Sequence, residues 1–200
     1  MLRFATSLII ATALTVAAPA SAAPLTVALT DPVGDARFHA PAYLDMVRAE
    51  ATREGEDFEF RTVVAEPIPL ALPHLPPGNN QVWWVWGLDT DPATAPQGTP
   101  NAPGIPINTE FVLRVSWDGN ALSGALIDRT PLLTGGEAVF TPLPFTITSN
   151  EVSMSVRASA VGNPTSFLWD PVTIYWAGPT HSGGFNFVDF FDPFWNPWPS

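Results

Sequence analysis

The 200-residue chain has no cysteine and no lysine. Without thiols there is no disulfide, no thiolate nucleophile, no Cys-based zinc site and no lipid-bearing cysteine. Without lysine every basic residue is an arginine, and eight of these face 19 acidic residues, for a formal charge of −11. A field of that sign disfavours DNA, RNA or an acidic bilayer as partner. The three histidines, His39, His74 and His181, are isolated, with no i,i+4 pair that would point to zinc. There is no Gly-x-Ser-x-Gly elbow of the serine hydrolases. Beyond the first 22 residues no run has the length and apolarity of a membrane helix. Long helices are disfavoured too, because 23 prolines are scattered between apolar segments.

The N-terminus has the layout of a secretory signal peptide. Arg3 supplies the positive end, residues 8–18 an apolar run too short to span a bilayer stably, and Ala20-Ser21-Ala22 the small residues before a cleavage point. A buried N-terminal helix is the competing reading. Cleavage after Ala22 leaves a domain of residues 23–200, secreted or periplasmic, and loss of Arg3 takes the charge from −11 to −12. That length suits one domain, and a chain of this size buries roughly 70% of its unfolded surface without needing staples.

Short alternating segments follow one another. Residues 25–30 read as a first strand, 31–41 as a loop with turn residues Pro32, Gly34 and Asp35. From residue 45 to 53 the period is two, with Val47, Ala49 and Ala51 on one face and Met46, Arg48, Glu50 and Thr52 on the other. A helix is the alternative there, given the Ala, Glu and Arg content. Phe58, Phe60, Thr62 and Val64 share the next inward face; residues 81–89 are apolar on both faces and predict a central strand covered on both sides. Further strands are expected at 110–117, 121–129, 145–148, 152–158 and 171–176, with a hairpin turn at Asp118-Gly119-Asn120 and a helical turn at 162–167. The spacing predicts an all-β fold, a single antiparallel β-sandwich of about eight or nine strands with long proline-rich loops. The longest of these loops are 67–80 and 92–108.

Carboxylates gather at strand ends: Asp31 and Asp35 across a Gly-containing turn, Asp45 at the head of the next strand, Asp89 and Asp91 after the central one. A hard cation, Ca²⁺ above all, takes about six to eight oxygen ligands from carboxylates, carbonyls and water. Asp31 and Asp35 can converge on such an ion, with Asp45 approaching if the loop folds back. Equally, both are residues that form turns by themselves. Glu50, Glu54, Glu56, Asp57 and Glu59 crowd a hairpin and read as a solvated face. Trp84 and Trp86 share one strand face and Trp83 takes the other; Trp169 and Trp176 form a second aromatic group near Tyr175. Core packing competes with a sugar-stacking platform for these rings.

The order Asp31-x-x-x-Asp35, Asp45 opening a strand, and Leu88-Asp89-Thr90-Asp91 closing an apolar one resembles exported domains of the DOMON-like superfamily, which includes the family-nine carbohydrate-binding modules. The resemblance runs from Asp31 to about Pro193. It implies a β-sandwich carrying structural Ca²⁺, with Asp31, Asp35 and Asp45 as metal candidates, and in some members a sugar or haem cleft. Met46 and Met154, the sulfur ligands a haem would need, read more simply as packing residues. The expected function is a non-catalytic, Ca²⁺-stabilised binding module with carbohydrate as leading ligand and Trp84, Trp86, Trp169 and Trp176 as ligand-binding candidates. An exported structural or protein-interaction domain is the alternative, and a glycosidase-type enzyme with paired carboxylates comes third.

Overall fold

The computed structural model describes residues 23–37, 40–69, 72, 82–94, 109–175, 186–191 and 196–199. The expected signal peptide, the three histidines, Trp176 and most of both long loops lie outside the described residues.

Two antiparallel sheets pack face to face as a sandwich and do not close into a barrel. The first has five strands in the order β1-β2-β3-β9-β8: β1 (Leu25–Thr30), β2 (Met46–Glu54), β3 (Asp57–Val64), β9 (Glu151–Arg157) and β8 (Phe145–Thr148). The second has seven strands, in the order β11-β10-β4-β5-β6-β7: β11 (Asn186–Phe190), β10 (Phe167–Tyr175), β4 (Val82–Asp89), β5 (Phe111–Trp117), β6 (Leu122–Asp128) and β7 (Val139–Pro142). The seventh, β12 (Asn196–Trp198), also lies along β10. Among the described residues no helix is long and apolar enough to cross a membrane.

The all-β sandwich matches the sequence pattern, with strands where alternation places them and a strand rather than a helix at Met46–Glu54. Among the described residues twelve strands form, against about eight or nine expected. The added ones, β7, β11 and β12, are short pieces at sheet edges. Pro142 and Pro197 disguise two of them; an edge strand tolerates proline because one side of its backbone needs no ladder bond. Pro171, inside β10, falls opposite the break between β11 and β12. The helical turn expected at 162–167 forms earlier, as a 3₁₀ turn over Ala158–Val161, and β10 begins at Phe167.

The core lies between the sheets. Ala49, Ala51, Phe58 and Phe60 of the first face Trp84, Trp86, Leu113 and Trp169 of the second, all at 0% exposure. Phe58 meets Phe167 edge-on at 5.3 Å, and Phe167 stacks parallel to Trp198 at 5.5 Å. Each such aromatic truncated to alanine would cost about 3–5 kcal/mol. As the doubly apolar sequence predicts, every residue of β4 is buried; its other face joins a second cluster with Val112, Ile127, Val172 and Ile174. Met46 departs from the expected pattern. A β-bulge between Met46 and Arg48 turns its side chain inward beside Ala49 and Ala51, so it is buried rather than outward. Met46 and Met154 are both packing residues.

One flank of the sandwich is crossed by the chain itself. β7 ends the larger sheet, β8 ends the smaller, and Leu143 between them donates its N–H to Gly124 O at 3.0 Å. A Cβ on Gly124 would stand 2.5 Å from Leu143 O and 2.8 Å from both Met154 Cε and Phe145 Cδ1. Any side chain there would push β6 away from the crossing.

Candidate metal centre

The bulge that buries Met46 stands at the end of the sandwich where the loop after β1 returns. Asp31 N–H reaches Val47 O at 3.1 Å, so the loop starts tied to β2. Gly34 turns it with φ of 90°, a backbone conformation that side chains rarely adopt. Its N–H then points at Asp45 Oδ2, 2.7 Å away. Asp45 follows the 3₁₀ turn Ala42–Leu44 and is fixed through its own backbone by Ala42 O and Ala65 N. Its side chain is 3% exposed. Among the described residues its second oxygen, Oδ1, has no hydrogen-bond partner.

A fourth carboxylate arrives from the other sheet. Asp189 of β11 accepts the Met46 N–H through Oδ2 and its neighbour's, Phe190 N–H, through Oδ1. Thr173 Oγ1 donates to Leu44 O at 2.6 Å beside it, a second tie between the larger sheet and this loop. Asp31, Asp35 and Asp189 each present one carboxylate oxygen, and these lie within 4.8 Å of one another. They run from exposed (Asp35) through half-buried (Asp31) to buried (Asp189). Burial pushes the Asp189 carboxyl up to about 7, and repulsion from Asp31, Asp35 and Asp45 adds to it against the pull of the Met46 N–H. Arg37 stacks its guanidinium on Phe190, 4.3 Å from the ring centre, at the rim.

The structure thus brings two of the three metal candidates, Asp31 and Asp35, together with Asp189, which the sequence reading missed; Asp45 stands beside this group, holding Gly34 N–H, and is not among its converging oxygens. The signal that marks Asp189 is a single acid between Val188 and Phe190 in an otherwise apolar stretch.

A second acidic group stands at the end of β4. Glu110, 2% exposed, accepts from Thr90 N at 2.8 Å and Thr94 Oγ1 at 2.8 Å, and so folds the turn after the strand around its carboxylate. Asp91 caps the same turn through Ala93 N–H at 3.1 Å. Arg129, 3% exposed, fixes the start of β5 by donating to Thr109 O at 3.0 Å and Thr109 Oγ1 at 2.7 Å. Burial, then the charge of Glu110, pushes the Asp89 carboxyl up to about 6.

The tryptophans expected to bind ligand behave otherwise. Trp84, Trp86 and Trp169 are at 0% exposure between the sheets, with neighbours such as Phe60 at 6.1 Å from the Trp169 ring. This corrects their assignment to a stacking platform: alternation sets the face on which a ring lies, and here that face is roofed by the other sheet. Trp176 lies outside the described residues. The outer face of the smaller sheet is the polar, solvated face expected around the β2–β3 hairpin. Arg61 pairs there with Glu59 at 3.3 Å and Glu151 at 3.5 Å. A groove of about 300 Å³ crosses it, lined by Thr52, Glu54, Asp57, Glu59 and Ser155.

No family model, curated protein or solved structure matches the chain.

Proposed function

We propose that the chain is an exported, non-catalytic binding module whose sandwich is pinned by Ca²⁺ at the end formed by the 31–45 loop. Asp45 carries the reading. It is a buried carboxylate with one oxygen held by Gly34 and the other, among the described residues, without a partner. An unsatisfied buried polar atom costs about 1–3 kcal/mol, more when charged, and the neighbouring carboxylates add repulsion. A divalent cation relieves both. An all-oxygen set of Asp31, Asp35 and Asp189, with Asp45 close enough to act on Asp189 by charge, suits a hard cation. Ca²⁺ accepts irregular, carboxylate-rich coordination that Mg²⁺ does not. The ion would supply electrostatic cross-linking and no bond chemistry.

Thermal unfolding of residues 23–200 in millimolar Ca²⁺ and in excess chelator tests this. A ligand that binds only the folded chain adds about 2.7 kcal/mol at a hundred times its Kd. The expected result is a midpoint several degrees higher in Ca²⁺, and no difference in Asp45→Asn. Equal midpoints in wild type would return Asp31 and Asp35 to the role of turn formers.

Carbohydrate is the ligand class proposed for the module, now placed on the outer groove rather than on the buried indoles. Glu54, Asp57, Thr52 and Ser155 offer the acceptors and hydroxyls that sugar hydroxyls pair with, in a space of about 300 Å³. Calorimetric titration with oligosaccharides should give heat that Glu54→Ala abolishes; a glycan panel giving none with wild type removes this ligand. The protein-interaction reading is favoured by a different observation, the exposed edge at β7, where Val139 and Phe140 are 51% and 58% exposed.

A further inference from the structure

The cation cluster draws its carboxylates from both sheets. Asp31 and Asp35 belong to the loop that leaves β1 and enters β2, whereas Asp189 belongs to β11, at the edge of the seven-stranded sheet. The Met46 N–H bond spans a separation of 143 residues. β11 is held to the sheet by β10 on one side and has no strand on its other side among the described residues. Its pairing with β10 is irregular, with a register shift between Thr173 and Ile174, next to the residue opposite Asp189. An edge strand with one partner and a broken ladder is held weakly by its own pairing. Asp189 is the point at which it is tied to the other sheet.

We propose that Asp189 completes the cation site, so that ion binding and docking of β11 are a single equilibrium. This rests on the Ca²⁺ reading above and names what the ion controls. Each Asp189 oxygen accepts one backbone N–H and keeps a second lone pair for a metal. With the ion bound, leaving the edge would mean pulling a ligand off the metal. Without it, three further carboxylates act on Asp189 by charge, and the strand's ties to the other sheet and its loop include the Met46 N–H bond and the stacking of Arg37 on Phe190. The charged groups facing Asp189 are those three acids and, at the rim, Arg37 on Phe190.

The test is hydrogen exchange of the peptide covering residues 186–191 in the full mature chain, with Ca²⁺ or with chelator, alongside calorimetric Ca²⁺ titration. If the strand opens only when the site is empty, its exchange slows by about a hundredfold at a hundred times Kd. Asp35→Asn, in the exposed loop of the opposite sheet, should abolish that slowing without touching β11. Asp189→Asn keeps an acceptor for Met46 N–H and should weaken Ca²⁺ binding by about tenfold or more. Ca²⁺ binding that leaves exchange at 186–191 unchanged, or that survives Asp189→Asn intact, overturns the coupling and leaves the loop site standing. No Ca²⁺ binding by wild type overturns the site and the coupling together. The wild-type exchange experiment decides the matter even if a variant fails to fold.

Discussion

Two buried acids at strand ends in this molecule, Glu110 and Asp45, differ in who occupies their oxygens. Around Glu110 the donors are already present. Thr90 N–H and Thr94 hydroxyl converge on one carboxylate, and Arg129 lies close enough for its charge to be felt. Around Asp45 the donors run out: Gly34 fills one oxygen, the other has none among the described residues, and Asp189 lies close enough to feel its charge. Proximity of acids is therefore a poor criterion for an ion site. A carboxylate met by N–H groups builds a turn; one left facing other carboxylates takes up a proton or a cation.

The largest effect that separates the two is expected from Glu110→Ala. It strips the acceptor from two well-placed donors at a buried position and should cost about 3 kcal/mol or more. The denaturant midpoint would fall equally in Ca²⁺ and in chelator. A loss confined to one condition would make the two acids alike. Asp45→Asn should behave in the opposite manner. In chelator it removes a repelling charge and leaves stability near wild type, whereas in saturating Ca²⁺ it loses the ion's contribution of about 2.7 kcal/mol. Asp89→Asn acts through pH. The folded-state carboxyl is raised from 3.8 to about 6, so its stabilising contribution is fully present below pH 4 and is lost as pH rises through 6. The variant should lose that part of the fall while the part due to Asp189 remains, a difference on the order of 1 kcal/mol after solvent screening, read from urea midpoints of both proteins at pH 4 and 7. Smallest is Asp91→Ala, which removes one bond to Ala93 N–H in an exposed turn and should cost about 0.5–1 kcal/mol regardless of Ca²⁺.

The sandwich was legible because alternation is a local property. Phe58, Phe60, Thr62 and Val64 declare one face, and the uninterrupted apolarity of Val82–Leu88 declares cover on both. What covers a face is not local. Trp84 and Trp86 were placed on a common face, yet that this face meets the other sheet follows only from packing. Met46 was legible as a packing residue but was set on the wrong face, because a single bulge inverts the alternation at one residue. Asp31 and Asp35 were legible as a pair because a short Gly-containing turn joins them. Asp189 was not, because only the completed larger sheet carries it to Met46. β7 and β12 were hidden by prolines that rule out central strands and leave edges open.

The pairing of β3 with β9 and of β4 with β10 sets a timetable. Asp57 lies opposite Arg157, and Val82 opposite Tyr175, so the central ladders of both sheets join residues made far apart in synthesis. Neither sheet can assemble from the first half of the chain. Closing such distant loops before any contact repays them makes folding slow, in the range of milliseconds to seconds for topologies of this kind. For a chain exported as proposed, that delay is useful: the polypeptide stays loose enough to be threaded through a membrane and closes on the far side.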